Sequence, residues 1–482
     1  MSTFSVLYPT DQERYNKVQK QQGGEIMDYI ILYVGLVASA QAVTMLHMLY
    51  WRRNHSTVLA WSMAILMFPF PAFILYFIFG NRKIRQKCKK KVLNLRTLHP
   101  TKMTELNPIE TVLSSHAISN TTPHNELQLY FEGVEAYTIL MNEIENARES
   151  IYISTYILQN DSTSEPILKA LTQKALEGLD VRILIDSVGS FELYFNQRPL
   201  QTLRNAGGKA VFFMPILKHP LKNYINLRNH RKIYMFDERI VLTGGMNLEE
   251  QYLGPKPMKK RWVDMMFRLE GDAVVTYLEI FYADYEYATG QKSSVIKKEV
   301  NGIGNSRVQV VPSGPDMSGD ALYEALLNAI YSARQRVWIV TPYFVPDETI
   351  LRALIIAKHK GVDVRLITPQ ITNHWIADIG RSSYMREAEE NGIGVMLYQG
   401  NMLHTKAVLI DDYSVMLGSV NIDNRSLFLN YEVVSFVYSP PIITQMEEWI
   451  KSLMKHSIIG MKKGSKKRLI MENFMRIFSP QL

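Results

Sequence analysis

The chain has 482 residues, 47% hydrophobic and 21% charged, which suits folded domains with sizeable cores and excludes a largely disordered protein. Its 54 Lys and Arg against 46 Asp and Glu give a formal charge of +8, concentrated in two clusters, Asn81 to Lys91 and Lys462 to Arg468. A single cysteine, Cys88, excludes an intramolecular disulfide, and with no zinc-spaced Cys/His cluster and no G-x-x-x-x-G-K-[ST] loop, neither a metal nor a nucleotide cofactor is expected.

Residues 1–28 read as an N-terminal cytoplasmic segment. Two stretches follow without Asp, Glu, Lys or Arg: "YIILYVGLVASAQAVTMLHMLYW" (Tyr29 to Trp51) and "TVLAWSMAILMFPFPAFILYFIFG" (Thr57 to Gly80). Each reaches the roughly 20 apolar residues that a bilayer span requires, and aromatic residues sit at their ends. Pro69 and Pro71 predict a kink in the second. "ASA" at Ala38 to Ala40 resembles a signal-peptide cleavage site, but the apolar run continues beyond it to Trp51. The short connection "RRNHS" (Arg52 to Ser56) makes the pair a transmembrane helix hairpin over residues 29–80. Arg52 and Arg53 favour placing that loop inside. Seven basic residues in "NRKIRQKCKKK" (Asn81 to Lys91), with Arg14, Lys17 and Lys20, outnumber them and place both ends, and the long C-terminal part, in the cytoplasm. The localisation expected is the cell membrane, multi-pass. The polybasic run would also meet an anionic membrane surface, at about 1 kcal/mol per basic residue. Residues 81–125, polar and broken by prolines, are expected as a linker.

From Glu126 the sequence nearly repeats itself. "YTILMNEIENARESIYISTYIL" (Tyr137 to Leu158) parallels "YEALLNAIYSARQRVWIVTPYFV" (Tyr323 to Val345), each an amphipathic helix pattern followed by a β-branched and aromatic strand. "ILKALTQKALEGLDVRILID" (Ile167 to Asp186) parallels "ILRALIIAKHKGVDVRLITP" (Ile350 to Pro369): a helix, a glycine stop and a buried strand. The alternation predicts two tandem α/β repeats over residues 126–300 and 301–482.

Each repeat carries H-x-K-x-x-x-x-D followed by a glycine turn and an asparagine. One offset of 174 residues separates His230 from His404, Lys232 from Lys406, Asp237 from Asp411 and Asn247 from Asn421. A single such motif is weak evidence, whereas two in equivalent places of a repeat are not accidental. Residues i and i+2 of a strand share a face, so each His projects with its Lys. Asp237 and Asp411 open turns, which suits fixing the turn better than touching a substrate. A returning strand brings Asn247 and Asn421 beside the His/Lys face, where amide and ammonium donors suit phosphate oxygens. If the repeats face each other across a pseudo-twofold axis, one phosphate meets two histidines. One imidazole then attacks phosphorus while the other protonates the leaving oxygen.

The doubled H-x-K-x4-D…G-[GS]-x-N pattern resembles that of the phospholipase D superfamily, and the chain resembles its bacterial cardiolipin synthases more closely. The likeness runs through "YFIFG", "RNHRKI", "GGMNLEEQYLG", "RWVDMMFRLEG", "TPYFVPDETILRAL", "GSVNIDNRSLFLNYEV" and "RIFSPQL". It implies two phospholipase D-like repeats with central mixed sheets behind the membrane hairpin. It also implies a metal-independent, cofactor-free phosphatidyl transfer through a phosphohistidine. Two phosphatidylglycerols would be joined into cardiolipin with release of glycerol. The implied catalytic set is His230, Lys232, Asp237, His404, Lys406 and Asp411, with Lys232, Asn247, Lys406 and Asn421 on the phosphate. Asp264 in "WVDMMF" and Glu432 in "NYEVV" would hydrogen-bond the two imidazoles and fix their orientation, and Arg425 would be a further candidate for contact with the anion. His230 is assigned as nucleophile by analogy, since the repeat alone does not order the two histidines. The alternatives are a hydrolase giving phosphatidic acid, and a non-catalytic membrane protein that binds lipid. The membrane hairpin argues against a soluble nuclease, so no nucleic acid partner is expected.

Overall fold

A computed structural model describes residues 11–50, 55–79, 93, 106–116, 118–218, 226–291, 303–317 and 319–476. The Arg52–Arg53 loop and the Asn81 to Lys91 run with Cys88 lie outside the described residues. The chain divides into two compact units, Met1–Asn81 and Arg82–Leu482.

In the first unit, α1 (Asp11–Tyr50) begins well inside the polar N-terminal segment. Its stretch Gly24–Tyr50 is long and apolar enough to cross a membrane. The second apolar stretch is divided into α2 (His55–Met67) and α3 (Pro69–Phe79), which meet at Phe68. The expected kink is therefore a break. Pro69 offers no N–H to the turn before it, yet suits the first turn of a new helix. α3 lies against α1, with His47 Nδ1 2.7 Å from the Tyr76 hydroxyl and the rings of Tyr33 and Phe70 6.1 Å apart.

In the second unit, structure begins earlier than the linker reading allows. Asn107 caps α4 (Pro108–Ser115), accepting from the Ile109 and Glu110 amides while Glu110 returns a bond to the Asn107 amide. Ile109 and Leu113 of this helix are buried in the core of the second repeat. The first strand, β1 (Thr122–Tyr130), also starts ahead of Glu126.

The first repeat continues with α5 (Gly133–Asn146), β2 (Ser150–Thr155), α6 (Ser164–Leu176), β3 (Asp180–Asp186), α7 (Phe191–Phe195), α8 (Arg198–Asn205) and β4 (Lys209–Phe213). It closes with β5 (Ile233–Phe236), β6 (Ile240–Gly244), β7 (Met266–Gly271) and α9 (Val274–Thr289). The second repeat runs β8 (Ser306–Ser313), α10 (Ala321–Ser332), β9 (Arg336–Val340), β10 (Phe344–Val345), α11 (Glu348–His359), β11 (Asp363–Pro369), α12 (Trp375–Glu390) and β12 (Gly394–Tyr398). It ends with β13 (Ala407–Ile410), β14 (Ser414–Gly418), β15 (Ile422–Asp423), α13 (Asn424–Phe428), β16 (Glu432–Val437), α14 (Pro440–Lys455), β17 (Ser457–Ile459) and α15 (Lys466–Arg476).

Fifteen of these strands form one mixed sheet, where a separate sheet per repeat was expected. The order is β17-β12-β11-β9-β13-β14-β16-β8-β1-β7-β6-β5-β2-β3-β4. Antiparallel pairing of β1 with β8, through Thr122 with Val308 and Asn125 with Ser306, merges the two halves. Each half would otherwise expose a strand edge there, and joining satisfies both. Outward from that junction the equivalent strands follow in the same order. One apolar core beneath α9 and α14 is shared by both halves. The opposite face is covered separately, by α5, α6 and α8 in the first half and α4, α10, α11 and α12 in the second.

The β5–β6 hairpin turns at Asp237 and Glu238, both left-handed (φ 52 and 56), and the Arg239 amide donates to the Phe236 carbonyl at 3.0 Å. Two central residues with positive φ match the right-handed twist of the flanking strands. β6 and β14 end at Gly244 and Gly418, with φ 142 and 157. A Cβ there would come within 2.5 Å of the Met265 carbonyl oxygen and 2.4 Å of that of Val433. Only glycine lets each strand run so close to its neighbour as it enters the region of the asparagines.

Candidate active site

Each histidine stands just ahead of its hairpin, and the opposite half holds it. The His230 amide donates to the Tyr431 carbonyl at 2.8 Å, and the Tyr431 amide to the Arg228 carbonyl at 2.8 Å. The His404 amide donates to the Val263 carbonyl at 2.7 Å, and the Val263 amide to the Met402 carbonyl at 2.8 Å. The side chains cross over in the same way. His230 Nδ1 lies 3.0 Å from Glu432 Oε2, and His404 Nδ1 lies 2.7 Å from Asp264 Oδ2. The two carboxylates named from the sequence thus face the imidazoles, each reaching into the other repeat.

The lysines share the faces of their histidines. Lys232 Nζ donates to the His230 carbonyl at 2.8 Å. Lys406 Nζ donates to the His404 carbonyl and lies 3.1 Å from His404 Nε2. The Ile157 amide donates to Asn247 Oδ1 at 3.3 Å, next to Tyr156, whose ring packs 4.9 Å from that of His230. Among the described residues no hydrogen bond engages the buried amide oxygen of Asn421.

The site is almost dry. His230 and His404 are 9% and 5% exposed, and Lys232, Lys406, Asp264 and Glu432 are no more than 1% exposed. Burial lowers both histidines, His404 to about 3. Lys406 lowers it further, against the opposing pull of Asp264. Burial also brings Lys232 down to about 7 and Lys406 to about 8, although Glu432 and Asp264 respectively work to keep them charged. Burial alone would raise both carboxyls. Lys406 and His404 outweigh it at Asp264, and His230 and Lys232 outweigh it at Glu432, so both sit below the usual carboxylate range. The field of Lys406 reaches His230 and that of Lys232 reaches His404, so the two sets lie near each other.

Asp237 and Asp411 do not join them. Asp237 accepts from the amides of Arg148, Glu149 and Ser150, and Asp411 from those of Arg334, Gln335 and Arg336. Each sits at the far end of its strand, seven residues on from the histidine, at most about 23 Å away at ~3.3 Å per residue. Their carboxylates tie the hairpin turn to the start of β2 or β9. These contacts are those of a turn-fixing group, and none of them reaches the histidines. Arg425 is half-buried, and its Nη2 lies 3.5 Å from the Asn226 carbonyl in the first half, within electrostatic reach of Tyr156.

Three residues near the histidines were not picked out from the sequence. Arg231, the middle residue of the first H-x-K, is fully buried. It pairs with Asp284 at 2.7 Å and Asp316 at 3.1 Å, and donates to the Glu432 carbonyl at 3.0 Å. Tyr156 packs edge-on against the His230 ring. The Tyr252 hydroxyl lies 3.4 Å from His404 Nε2. Comparing the repeats would have flagged Arg231 and Tyr252, because their equivalents are Thr405 and Ser426.

A family model described as "Cardiolipin synthase, PLD-like domain" matches residues 140–281 and again 326–454. The chain belongs to this family. A second model, "Phospholipase_D-nuclease N-terminal", matches residues 40–81. Among curated relatives, cardiolipin synthase 1 of Bacillus cereus is 31% identical over 94% of this chain and 95% of its own length. A cardiolipin synthase of Clostridium perfringens is 31% identical over 89% and 95%, and one of Halalkalibacterium halodurans 32% over 82% of each chain. The crystal structure of phosphatidylserine synthase from Haemophilus influenzae superimposes with a TM-score of 0.61 at 17% identity, covering 78% of this chain and all of that one. That likeness concerns the fold.

The protein is therefore a membrane-associated cardiolipin synthase, a phosphatidyltransferase. In this synthase Nδ1 of each ring faces a carboxylate, and Lys406 Nζ also lies 2.7 Å from His404 Nδ1. The two lysines and the amide of Asn247 present donors to an anion in a setting where water competes poorly.

Proposed function

We propose that the enzyme transfers a phosphatidyl group from one phosphatidylglycerol to a second, releasing glycerol, through a phosphohistidine at His230. The observation that carries this reading is the crossed pair His230–Glu432 and His404–Asp264. His230 Nε2 attacks phosphorus, and the glycerol oxygen departs with a proton from His404 Nε2. The hydroxyl of the second phosphatidylglycerol then returns its proton to His404 and attacks phosphorus, breaking the P–N bond. Burial and the neighbouring Lys406 favour neutral His404. The negative charge of the incoming phosphodiester, set against the two lysines, supports its protonation. Lys232, Lys406, Asn247 and Asn421 hold the phosphate oxygens. Asp264 and Glu432 orient the rings, and Asp237 and Asp411 position the hairpins.

The order of the two histidines rests on Tyr252. Its hydroxyl occupies the place beside His404 Nε2 that an alcohol would take, whereas among the described residues no hydrogen bond engages His230 Nε2. A pseudo-twofold axis at the β1–β8 junction relates the halves. The apolar segments over residues 29–80 cross the cell membrane twice, leaving both ends and the catalytic unit cytoplasmic. No cofactor and no nucleic acid take part.

One phosphodiester is broken and one made, so the chemistry is close to balanced and escape of glycerol into water sets the direction. The test is the purified full chain in vesicles of labelled phosphatidylglycerol. Cardiolipin and glycerol should appear in equal amounts without added nucleotide, metal or cytidine-linked lipid. Phosphatidic acid as the main product would replace transfer by hydrolysis. Peptides from a denatured, phosphorus-labelled intermediate should carry label at His230, and label at His404 would reverse the roles. A tag at Leu482 should resist protease in sealed cells.

A further inference from the structure

The basic cluster from Lys462 to Arg468 has no part in the pocket. It leads into α15, whose docking is the reverse of what a water-facing helix shows. Glu472 is 1% exposed and bound to Arg386 at 2.7 Å. Asn473 accepts from the Ser383 hydroxyl at 2.9 Å, and Arg476 pairs with Glu387 at 2.6 Å. All three contacts go to α12, so the helix is fastened through polar groups. Its apolar side chains face away, with Ile470, Met471 and Phe474 respectively 70%, 45% and 56% exposed. Ile470 and Phe474 are four residues apart and share a stripe. At about 100° per residue that stripe lies roughly opposite Glu472. A helix on a soluble surface turns its apolar stripe inward.

We propose that α15 is a membrane-contact element of the catalytic unit. Its Ile470–Phe474 stripe enters the headgroup–acyl boundary of an anionic bilayer while the preceding lysines lie among the lipid phosphates. No acidic residue occurs between Lys462 and Met471, which suits anionic lipid. An apolar stripe flanked by Lys and Arg is the pattern of helices that lie in a membrane surface. The enzyme's own lipids supply the matching charge. A symmetric pair of copies joined through this stripe would trap two lysine clusters in one interface, which disfavours a second copy as occupant.

The test uses the full chain with Cys88→Ser and Phe474→Cys, labelled with an environment-sensitive fluorophore and reconstituted into vesicles. With phosphatidylglycerol present the probe should shift to the blue and be quenched by lipids carrying a nitroxide on the acyl chain. Phosphatidylcholine alone or high salt should reduce both signals. A control probe at Gln201→Cys, on exposed α8, should show neither. A Phe474 probe that stays in water on anionic vesicles overturns the proposal, as does a blue shift in detergent that grows with protein concentration, the mark of a second copy. The combined Ile470→Ser, Phe474→Ser variant should lose several-fold turnover on vesicles and keep it in mixed micelles. Equal loss in both makes the stripe structural and also overturns the proposal. The probe reads no product, so its failure is distinct from failure of the proposed reaction.

Discussion

At His230 and His404, the nitrogen that is already hydrogen-bonded decides which one reacts. Replacing the partner with a neutral isostere, Asp264→Asn or Glu432→Gln, should leave the fold intact and lower kcat by about 10²–10⁴-fold, because the preferred tautomer is lost. Product formation per folded molecule checks this. The lysines set the pH response. Brought to about 7 and about 8, Lys232 and Lys406 lose their charge as pH rises through that range. Affinity for an anionic phosphate then falls, so kcat/KM should decline with rising pH and phosphate binding should take up protons. On the acid side both histidines are lowered and both carboxyls stay ionised, so activity should persist below the ordinary histidine range. A kcat/KM profile against pH on vesicles tests both limbs. Tyr252→Phe, which removes only the hydroxyl, should raise the share of phosphatidic acid over cardiolipin while the phosphohistidine still forms. The residue types of this pocket were legible in the sequence because the repeat printed them twice. Their pairing was not, because Glu432 meets His230 across 202 positions and Asp264 meets His404 across 140.

Among the elements, the hairpin turns give the sharpest contrast between holding a site and acting in it. Asp237→Ala and Asp411→Ala each strand several backbone amides and should cost about 1–3 kcal/mol, read as a lower urea midpoint, with near-normal turnover in the molecules that stay folded. Loss of turnover without loss of stability would return these carboxylates to the chemistry. Gly418→Ala should destabilise more, since the Val433 carbonyl has nowhere to go. Helices such as α6 and α11 were readable because their apolar residues recur at helical spacing and a glycine stops them. α4 and the start of β1 were not. "SNTTPHN" carries turn-forming residues, and only the partner strand β8 makes Thr122 a buried sheet residue. The break at Phe68 was half legible, as two prolines announced a kink and their spacing produced a new helix start.

For the molecule as a whole, the continuous sheet and the crossed contacts place both histidines of one pocket in one chain. A His230→Ala chain mixed with a His404→Ala chain should therefore stay inactive. Recovered activity would mean that pockets are built between chains. Two repeats were evident in the sequence, and their fusion into one sheet was not, because β1 and β8 carry no signal for an edge partner beyond ordinary alternation.

The crossed pairing also sets a clock on biosynthesis. His230 cannot gain its carboxylate until Glu432 has been made, 202 residues later. At roughly 5–20 residues per second, that is on the order of 10–40 s of translation. A nascent chain that ends before Glu432 thus lacks the group that orients its first histidine. Contacts so distant along the chain are also slow to close. The oriented imidazole of His230 therefore exists only once the second repeat has been made and folded.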